Sequence, residues 1–482
     1  MTEGVEKIKS KTKISKGRKI IPKEKKGFNM LDEDVQKQID PEVDMMFEKV
    51  AKDKGISRRN IDDSEILHRL SWSLLNTGCM ILQEGFALRA SDIDVTYAYG
   101  YGYPNWRGGP MQYGQDYGLK KVLGTEIFGA DYWPKDSLLI KIIRSPYHRA
   151  KFEFGDLNKW KKQNYGLEII LTSKDIPGEN KFGVIPNFAD QPALAISEAK
   201  FKGEAIAIVA GDYNSISQLD ISSFPVYWKP AQESLTISSA KEKNIANIHS
   251  EREDNILTVG KVISGEPNLV LENFDFQVSG SLKTSYVEHA YIEPEAGASW
   301  MDGNTLVIQA CTQAPIMDRD DTAKILGLEK EQVRIIPATA GGGFGSKLDV
   351  SIQPLLGLVT LKTNKPCRIA YTRNESMMST TKRHPADMNA LISANKDGKI
   401  VGMIFDGDFN TGAYASWGPT VATRVPIHAS GPYYTPNYKA SGNALYSNGP
   451  ISGAFRGFGV PQAAALQETL YDQLADICNI DQ

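Results

Sequence analysis

The chain is 482 residues long, 41% hydrophobic and 23% charged, with a formal net charge of −3. This length exceeds what one hydrophobic core supports, so two or more domains are expected, and the balanced charge disfavours nucleic acid as a partner. No apolar run is long enough to cross a bilayer and no signal peptide opens the chain, so we expect a cytoplasmic protein that does not bind membranes.

The first 132 residues divide into a basic tail and a helical region. Residues 1–27 are rich in lysine and are expected to be a disordered tail. In residues 28–132, apolar side chains recur at three- and four-residue steps from Ile66 to Phe86, which predicts one face of an amphipathic helix. Repeated Gly and Pro across Gly100–Gly109 interrupt the helical pattern and predict a tight loop.

Short apolar runs alternate with helical stretches from Trp133 onward, which predicts an α/β or α+β arrangement. The predicted strands are Leu138–Ile143, Leu167–Leu171, Ala205–Val209, Thr305–Gln309, Val333–Pro337, Arg368–Tyr371 and Ile400–Asp406. The predicted helices include Thr322–Leu326, Ser351–Thr363 and Pro461–Ile477. Residues 231–265, polar and poorly periodic over most of their length, predict a linker between a domain of residues 133–230 and a domain of residues 266–482.

The four cysteines, Cys79, Cys311, Cys367 and Cys478, are far apart and form no C-x-x-C motif. This spacing excludes a local zinc knuckle and a run of iron–sulfur ligands. We therefore expect no residue of the chain to bind a metal directly.

Three sequence motifs of the helical region resemble those of a known protein family. They are Asp40–Val43 (DPEV), Ile56–Arg59 (ISRR) and the long run from Gln83 to Pro110, which ends in PNWRGGP. Together they resemble the C-terminal helical domain of 3-hydroxyacyl-CoA dehydrogenases, which shapes an acyl-CoA cleft and contributes dimer contacts. The resemblance implies an all-α domain over residues 28–132 that lacks the nucleotide-binding turn and catalytic histidine of that family.

A second series of motifs runs from about residue 133 to the end of the sequence. It comprises Arg144–Ala150 (RSPYHRA), Glu288–Pro294 (EHAYIEP), Cys311–Pro315 (CTQAP), Gly341–Lys347 (GGGFGSK), Arg383–Pro385 (RHP) and Gly453–Gln462 (GAFRGFGVPQ). In this order they resemble the molybdenum-cofactor subunit of the xanthine dehydrogenase/aldehyde oxidase family. The resemblance implies an α/β hammerhead-like subdomain over residues 133–230. Residues 266–482 would then be a first molybdopterin-binding α+β subdomain, incomplete at its C-terminus.

The glycine run has a physical reason in such a protein, because backbone N–H groups without intervening side chains can approach a phosphate-bearing cofactor closely. By resemblance, the cofactor-binding residues are Gln313, Gly342, Gly343, Phe344, Gly345 and Arg456. The cofactor is expected to be molybdopterin in its cytosine dinucleotide form. By the same resemblance, Phe458, Arg424 and Leu348 are expected to contact the substrate, with a surface ion pair as the alternative role for Arg424.

The reaction that the resemblance implies is oxidative hydroxylation of an aldehyde or aromatic N-heterocycle, with water as the oxygen source. Leu348 stands where xanthine-oxidising members carry a glutamate, which favours a substrate less polar than xanthine. The catalytic base of the family, a glutamate in a G-x-G-E segment, is expected beyond residue 482, so no catalytic residue is predicted within the chain. Glu288 and Glu293 are interpreted as structural carboxylates.

The missing electron-transfer groups imply partners. With no cysteine cluster and no FAD-type segment in the sequence, the [2Fe–2S] and FAD centres are expected on separate subunits of an oligomer. Whether the chain is itself an enzyme is therefore left open.

Two alternatives remain. In one, residues 28–132 act as a CoA-cleft or dimerisation module; in the other, the chain is a non-catalytic chimera. The abrupt junction Tyr132–Leu139 (YWPKDSLL), which lacks the spacing of an ordinary linker, favours the chimera.

Overall fold

The structure is a computed structural model, and it describes residues 74–75, 77–81, 87, 89–95, 111–112 and 127–481. The chain divides into two units, Met1–Val122 and Leu123–Gln482. In the first unit, residues 74–75 and 77–81 are helical, and helix α1 is Ala90–Val95. The expected basic tail and most of the region that resembles hydroxyacyl-CoA dehydrogenases lie outside the described residues. Within the described part, no helix is long and apolar enough to span a membrane.

The second unit combines strands and helices throughout. The strands are β1 Leu138–Arg144, β2 Ala150–Phe154, β3 Leu167–Thr172, β4 Glu198–Ala199, β5 Ala205–Gly211, β6 Val226–Pro230, β7 Ile256–Ser264, β8 Phe276–Thr284, β9 Ala296–Asp302, β10 Thr305–Cys311, β11 Val333–Ala338, β12 Cys367–Ala370, β13 Ala386–Ala394, β14 Ile400–Gly412 and β15 Asn437–Tyr446. The helices are α2 Leu157–Gln163, α3 Tyr213–Gln218, α4 Ile237–Ala240, α5 Leu269–Glu272, α6 Pro315–Leu326, α7 Gln353–Thr363, α8 Arg373–Ser379, α9 Gly418–His428 and α10 Val460–Cys478. Each strand and helix predicted after Trp133 is confirmed, with shifted ends.

A mixed sheet of seven strands, in the order β11-β10-β9-β12-β1-β5-β3, forms the first layer. Several of its strands are short apolar runs such as β5 (AIAIVAG), which is buried over almost its whole length because it lies inside the sheet. Helices α6 and α7 pack against this sheet, and Leu355, Leu356 and Val359 of α7 enter its core. A small sheet, β4-β2-β6, covers a separate aromatic cluster.

A second large sheet has the order β7-β15-β14-β13-β8. Its inner side chains, among them Met388, Met403 and Phe405, are fully buried against Val425 of α9 and Leu470 of α10. The sheet thus fixes α10, the helix that begins within the last motif of the second series. Mixed α/β structure over several subdomains agrees with the fold class expected from the sequence for residues 133–482.

Part of the segment expected to be a linker is instead a strand. Residues 256–264 form β7, which pairs antiparallel with β15 at the edge of the five-stranded sheet. Upstream, Ile248 and Asn255 are buried, and the Asn255 side chain accepts a hydrogen bond from the Ile248 amide. The linker prediction is wrong over these residues, because the sequence of β7 (ILTVGKVIS) is rich in the β-branched side chains that favour strands.

The second unit begins before the boundary expected at residue 132. Phe128 forms a parallel bridge with Thr339, just beyond β11. The ring of Tyr132 contacts that of Trp300 edge-on at 6.1 Å, and the Arg368 guanidinium lies 3.9 Å from the centre of the Trp133 ring. Residues 127–133 are therefore part of the packing of the second unit.

Candidate functional site

The segment Gly341–Gly345, called the glycine loop here, connects β11 to a short 3-10 turn at Ser346–Leu348. Gly342, Phe344 and Gly345 all have positive φ angles, of 103°, 53° and 114°. A side chain on Gly345 would place its Cβ 2.6 Å from the Ala454 carbonyl oxygen, so both the conformation and the approach require glycine there.

A second loop, Phe455–Gly459, called the arginine loop here, leads into α10. Gly457, Phe458 and Gly459 have φ angles of 97°, 48° and 83°. The two loops therefore share a Gly-Phe-Gly sequence in which the phenylalanine is held in the left-handed region. A bulky residue rarely occupies this region, and such outliers concentrate at functional sites.

The structure brings the two loops into direct contact. The Arg456 amide donates a hydrogen bond of 2.9 Å to the Phe344 carbonyl oxygen. On the other side of the glycine loop, the Gly345 amide donates to Gln313 Oε1 at 3.0 Å. Each of the residues predicted to bind the cofactor, Gln313, Gly342, Gly343, Phe344, Gly345 and Arg456, lies in this connected group.

The outward-facing groups of this cluster have unused binding capacity. Gln313 and Arg456 are exposed, and half of the surface of Phe344 is exposed. Among the described residues, none accepts a hydrogen bond from the Gln313 side-chain nitrogen, and none forms an ion pair with the Arg456 guanidinium. A free amide, a free guanidinium and accessible backbone suit a polar ligand that carries phosphate. The described residues include no cluster of His, Cys, Asp or Glu that would hold a metal ion.

Two of the predicted substrate residues also meet. The Arg424 guanidinium of α9 lies 5.8 Å from the centre of the Phe458 ring, and Trp417 contacts the same ring edge-on at 5.4 Å. Arg424 is exposed, and none of the described residues forms an ion pair with it. Leu348 is half-buried in the turn after the glycine loop, where its amide donates to the Gly345 carbonyl, and it takes no part in this ring contact.

Asp349, the residue after Leu348, is turned away from solvent. Its carboxylate accepts hydrogen bonds from the Ser416 hydroxyl and, at 3.0 Å, from the Trp417 indole. Complete burial raises the pKa of Asp349 to about 6 in spite of these bonds. Asp349 therefore fixes the indole that supports Phe458.

The arginine loop rests on two motifs whose role the sequence did not reveal. His289 stacks on Phe455 at 4.0 Å, and its Nε2 is 2.8 Å from the Ala454 carbonyl oxygen. Burial lowers the pKa of His289 to about 4, so the ring is neutral at physiological pH. From the other side, the Arg383 guanidinium lies 3.9 Å from the Phe455 ring centre and donates to the Arg456 carbonyl at 3.0 Å.

Beneath the glycine loop lies a buried ion pair that sequence reasoning also missed. Lys347 Nζ and Glu293 Oε2 are 2.8 Å apart, and both side chains are almost fully buried. The sequence alone indicates no more than a structural carboxylate at Glu293, and it gives the lysine of the GGGFGSK motif no role. Nothing in the spacing of the two motifs indicates that the lysine and the glutamate pair.

Comparison with known proteins identifies the family. Residues 248–482 match the molybdopterin cofactor-binding domain. The chain is 37% identical over 364 residues to the nicotinate dehydrogenase large molybdopterin subunit of Eubacterium barkeri, an alignment that covers 75% of this chain and 84% of that subunit. It is 31% identical to a probable xanthine dehydrogenase subunit of Bacillus subtilis, over 76% of this chain and 48% of that protein.

Solved structures agree on the fold. Aldehyde oxidoreductase from Desulfovibrio gigas matches with a TM-score of 0.72 and 24% identity, over 75% of this chain and 41% of that chain. Quinoline 2-oxidoreductase from Pseudomonas putida matches with a TM-score of 0.69 and 20% identity, over 75% of this chain and 48% of that chain. Thus the chain spans most of one curated relative and about half or less of the others. It belongs to the molybdopterin-binding large subunits of the xanthine dehydrogenase/aldehyde oxidase family.

Proposed function

We propose that this chain is the cofactor-binding part of a molybdenum hydroxylase that oxidises an aromatic N-heterocycle, with an aldehyde as the alternative substrate. The observation that carries the proposal is the contact between the two loops. The hydrogen bond from the Arg456 amide to the Phe344 carbonyl places a free guanidinium beside a glycine loop that already holds Gln313.

In this proposal, Gly342 presents its backbone N–H group to the phosphate-bearing part of the cofactor, with Phe344 beside it. The buried Gly343 and Gly345 hold Gln313: a Cβ on Gly343 would lie 2.5 Å from Gln313 Oε1, and the Gly345 N–H donates to the same oxygen. The Arg456 guanidinium pairs with an anionic group of the cofactor, and the Gln313 side-chain amide donates a hydrogen bond to the cofactor. The cofactor, when bound, supplies the two-electron oxidation, and the protein binds and orients the substrate. We propose the cytosine dinucleotide form of molybdopterin, which offers Arg456 an additional phosphate.

The substrate side of the proposal rests on Phe458, Arg424 and Leu348. The Phe458 ring provides an apolar face for a flat ring, and the Arg424 guanidinium beside it stabilises negative charge on a heterocycle or its carboxylate. The half-buried Leu348 offers no polar partner to a xanthine. The nicotinate dehydrogenase subunit of E. barkeri, at 37% identity, favours a heterocyclic acid over an aldehyde.

The catalytic base is proposed to be a glutamate in a G-x-G-E segment, which residues 1–482 do not contain. The iron–sulfur and FAD centres would come from separate subunits of a cytoplasmic oligomer. The domain limits 133–230 and 266–482 are part of the same proposal, with the correction that β7 belongs to the second domain. The resemblance of residues 28–132 to hydroxyacyl-CoA dehydrogenases stays a prediction.

Metal and nucleotide analysis tests the cofactor. The full chain, purified with its copurifying subunits from a host that makes the molybdenum cofactor, is expected to contain molybdenum and to release CMP on acid hydrolysis in comparable amounts. Molybdenum without CMP would exclude the cytosine dinucleotide form of the cofactor. A complex without molybdenum would refute the proposed function.

Substrate choice is tested with an artificial electron acceptor and nicotinate, xanthine or benzaldehyde. Nicotinate turnover is expected to exceed xanthine turnover, and Arg424→Ala is expected to lower kcat/KM for nicotinate by about 10-fold or more. Arg334→Ala, which removes an exposed arginine of β11, is the matched control and should have no effect. Equal turnover by Arg424→Ala and the unmodified protein would contradict the role of Arg424.

A further inference from the structure

The Glu293 carboxylate accepts hydrogen bonds from three donors in two segments of the second unit. Its Oε2 accepts from the Gly341 amide at 2.7 Å and from Lys347 Nζ at 2.8 Å. Its Oε1 accepts from the Gly129 amide at 3.0 Å. Since both oxygens are buried and bonded, Glu293 has no free oxygen directed at a ligand and is not placed to act as a base.

Two of these donors stand at the two ends of the glycine loop. Gly341 is the first residue of the glycine loop, and Lys347 lies two positions after its last residue, Gly345. A carboxylate that holds both ends fixes the separation and direction of the backbone between them. The glycine at 341 allows this, because a Cβ there would lie 2.5 Å from that of Glu293.

The hydrogen bonding continues from Lys347 to the predicted cofactor ligands. The Lys347 carbonyl oxygen accepts a hydrogen bond from the Gln313 backbone amide at 2.8 Å. Gln313 Oε1 in turn accepts one from the Gly345 backbone amide at 3.0 Å. The position of the Gln313 side chain therefore depends on that of Lys347. The Lys347 ammonium also lies 4.8 Å from the centre of the Tyr291 ring, which covers it from solvent.

The conformation of the glycine loop needs such support. Glycines reach many backbone conformations at similar free energy, and Phe344 is held at a φ that its own side chain disfavours. A surface ion pair would constrain the loop weakly, but a buried pair is strongly coupled because either partner alone leaves an uncompensated charge.

We propose that Glu293 is a positioning residue for the cofactor. Through Gly341 and Lys347, its carboxylate holds the glycine loop and Gln313 in the arrangement that binds the cofactor. Through Gly129, the same carboxylate ties the segment that precedes β1 to this arrangement. The inference rests on the proposed function for its ligand, but the effect on the loop is independent of any ligand.

Two measurements on the full chain test the proposal. The first is hydrogen–deuterium exchange of peptides that cover residues 339–350, in protein from a host that lacks the cofactor. The second is the molybdenum retained after dialysis, in the complex from a host that makes it. Glu293→Gln is expected to raise loop exchange at least 10-fold and to lower molybdenum content by a similar factor, with exchange in α7 and α10 unchanged.

Four further variants separate a positioning role from general stability. Lys347→Met should reproduce the loop effect, and the double variant should be no worse than Glu293→Gln, because the two side chains act as one pair. Glu293→Asp keeps the charge but shortens its reach, and it should loosen the loop without unfolding the protein. Glu168→Gln breaks the exposed pair between Lys365 and Glu168, also 2.8 Å long, and should change neither readout.

The outcomes are distinct. Unchanged loop exchange in Glu293→Gln overturns the proposal, as does unchanged exchange in Glu293→Asp if the glutamine variant fails to fold. Loosened loop exchange with full molybdenum retention also overturns it. If the unmodified complex holds no molybdenum, the proposed function fails, while the exchange of residues 339–350 still decides whether Glu293 holds the loop.

Discussion

Two phenylalanines, Phe344 and Phe458, have positive φ angles on facing loops. The left-handed region costs an L-residue roughly 1–2 kcal/mol because its Cβ approaches the following carbonyl. Phe458 recovers part of this cost by packing against Trp417, whereas Phe344 is half exposed and recovers little. The strained angle at Phe344 therefore agrees with the cofactor contact that we propose for its ring.

Phe344→Gly is expected to be more stable than Phe344→Ala by about 1 kcal/mol, since both variants lose the ring but only alanine keeps a Cβ at positive φ. Thermal unfolding of the two variants measures the difference. At an ordinary φ the order is reversed, because glycine loses more backbone entropy on folding. An alanine variant as stable as the glycine variant would show that residue 344 is unstrained.

At the same scale, the sequence motifs identified the residues that the structure brings together in the two loops, but not the side chains that support these loops. Gln313, Arg456 and the glycines were found because their spacing follows a family pattern. The Glu293–Lys347 pair and the His289–Phe455 stack were not found, because each joins segments whose proximity is created by the strands between them. Sequence spacing carries no information about such contacts.

Among the elements, α9 depends on two glycines of the sheet below it. Gly260 of β7 and Gly442 of β15 stand opposite each other in register. A Cβ on Gly442 would lie 2.5 Å from the Ala422 carbonyl oxygen, and one on Gly260 would lie 2.6 Å from the Thr423 Cα. The helix that carries Arg424 thus rests directly on the sheet backbone.

Gly260→Ala and Gly442→Ala are each expected to destabilise the protein by roughly 1–3 kcal/mol, because the added methyl group must displace helix backbone. The shift should also weaken substrate binding through Arg424, seen as a higher KM. Lys261→Ala, one residue along β7 with an exposed side chain, is the control. The close packing would be disproved if a glycine variant unfolded at the same temperature as Lys261→Ala.

Some strands were predicted from the sequence and others were not. Strands with mostly apolar sequences, such as β1 (LLIKIIR) and β5 (AIAIVAG), were found because their side chains are largely buried on both faces. Strands β9 (AGASWMD) and β15 (NYKASGNALY) were missed because their small and polar residues resemble loops. Pairing to neighbours on both sides makes them strands, and that pairing cannot be read locally.

At the scale of the whole molecule, a buried carboxyl group joins the first sheet to the second. Glu204, next to β5, accepts a hydrogen bond from the Tyr414 hydroxyl, which follows β14, and one of 2.5 Å from the Lys200 amide. Complete burial raises the pKa of Glu204 from 4.5 to about 7. The folded protein therefore favours protonated Glu204.

This shift predicts a pH dependence of stability. The contribution of Glu204 is fully present below about pH 4.5 and is lost as the pH rises through about 7, because the unfolded chain ionises more easily. The stability advantage of the unmodified protein over Glu204→Gln is expected to fall by on the order of 3 kcal/mol between pH 4.5 and pH 8. Urea unfolding at several pH values measures it.

Comparing the two proteins at each pH cancels the other titrating groups. Buried His249, His289 and His384 have lowered pKa values and contribute a slope of opposite sign in both proteins. A pH-independent difference between Glu204→Gln and the unmodified protein would show that folding does not raise the pKa of Glu204.

The bond from the Gly129 amide to Glu293 also determines how far the chain can be shortened at its N-terminal side. Removal of residues 1–132 would remove both this donor and the Phe128–Thr339 bridge, whereas removal of residues 1–126 would keep them. A shortened chain made to study the glycine loop should therefore begin at or before Ile127.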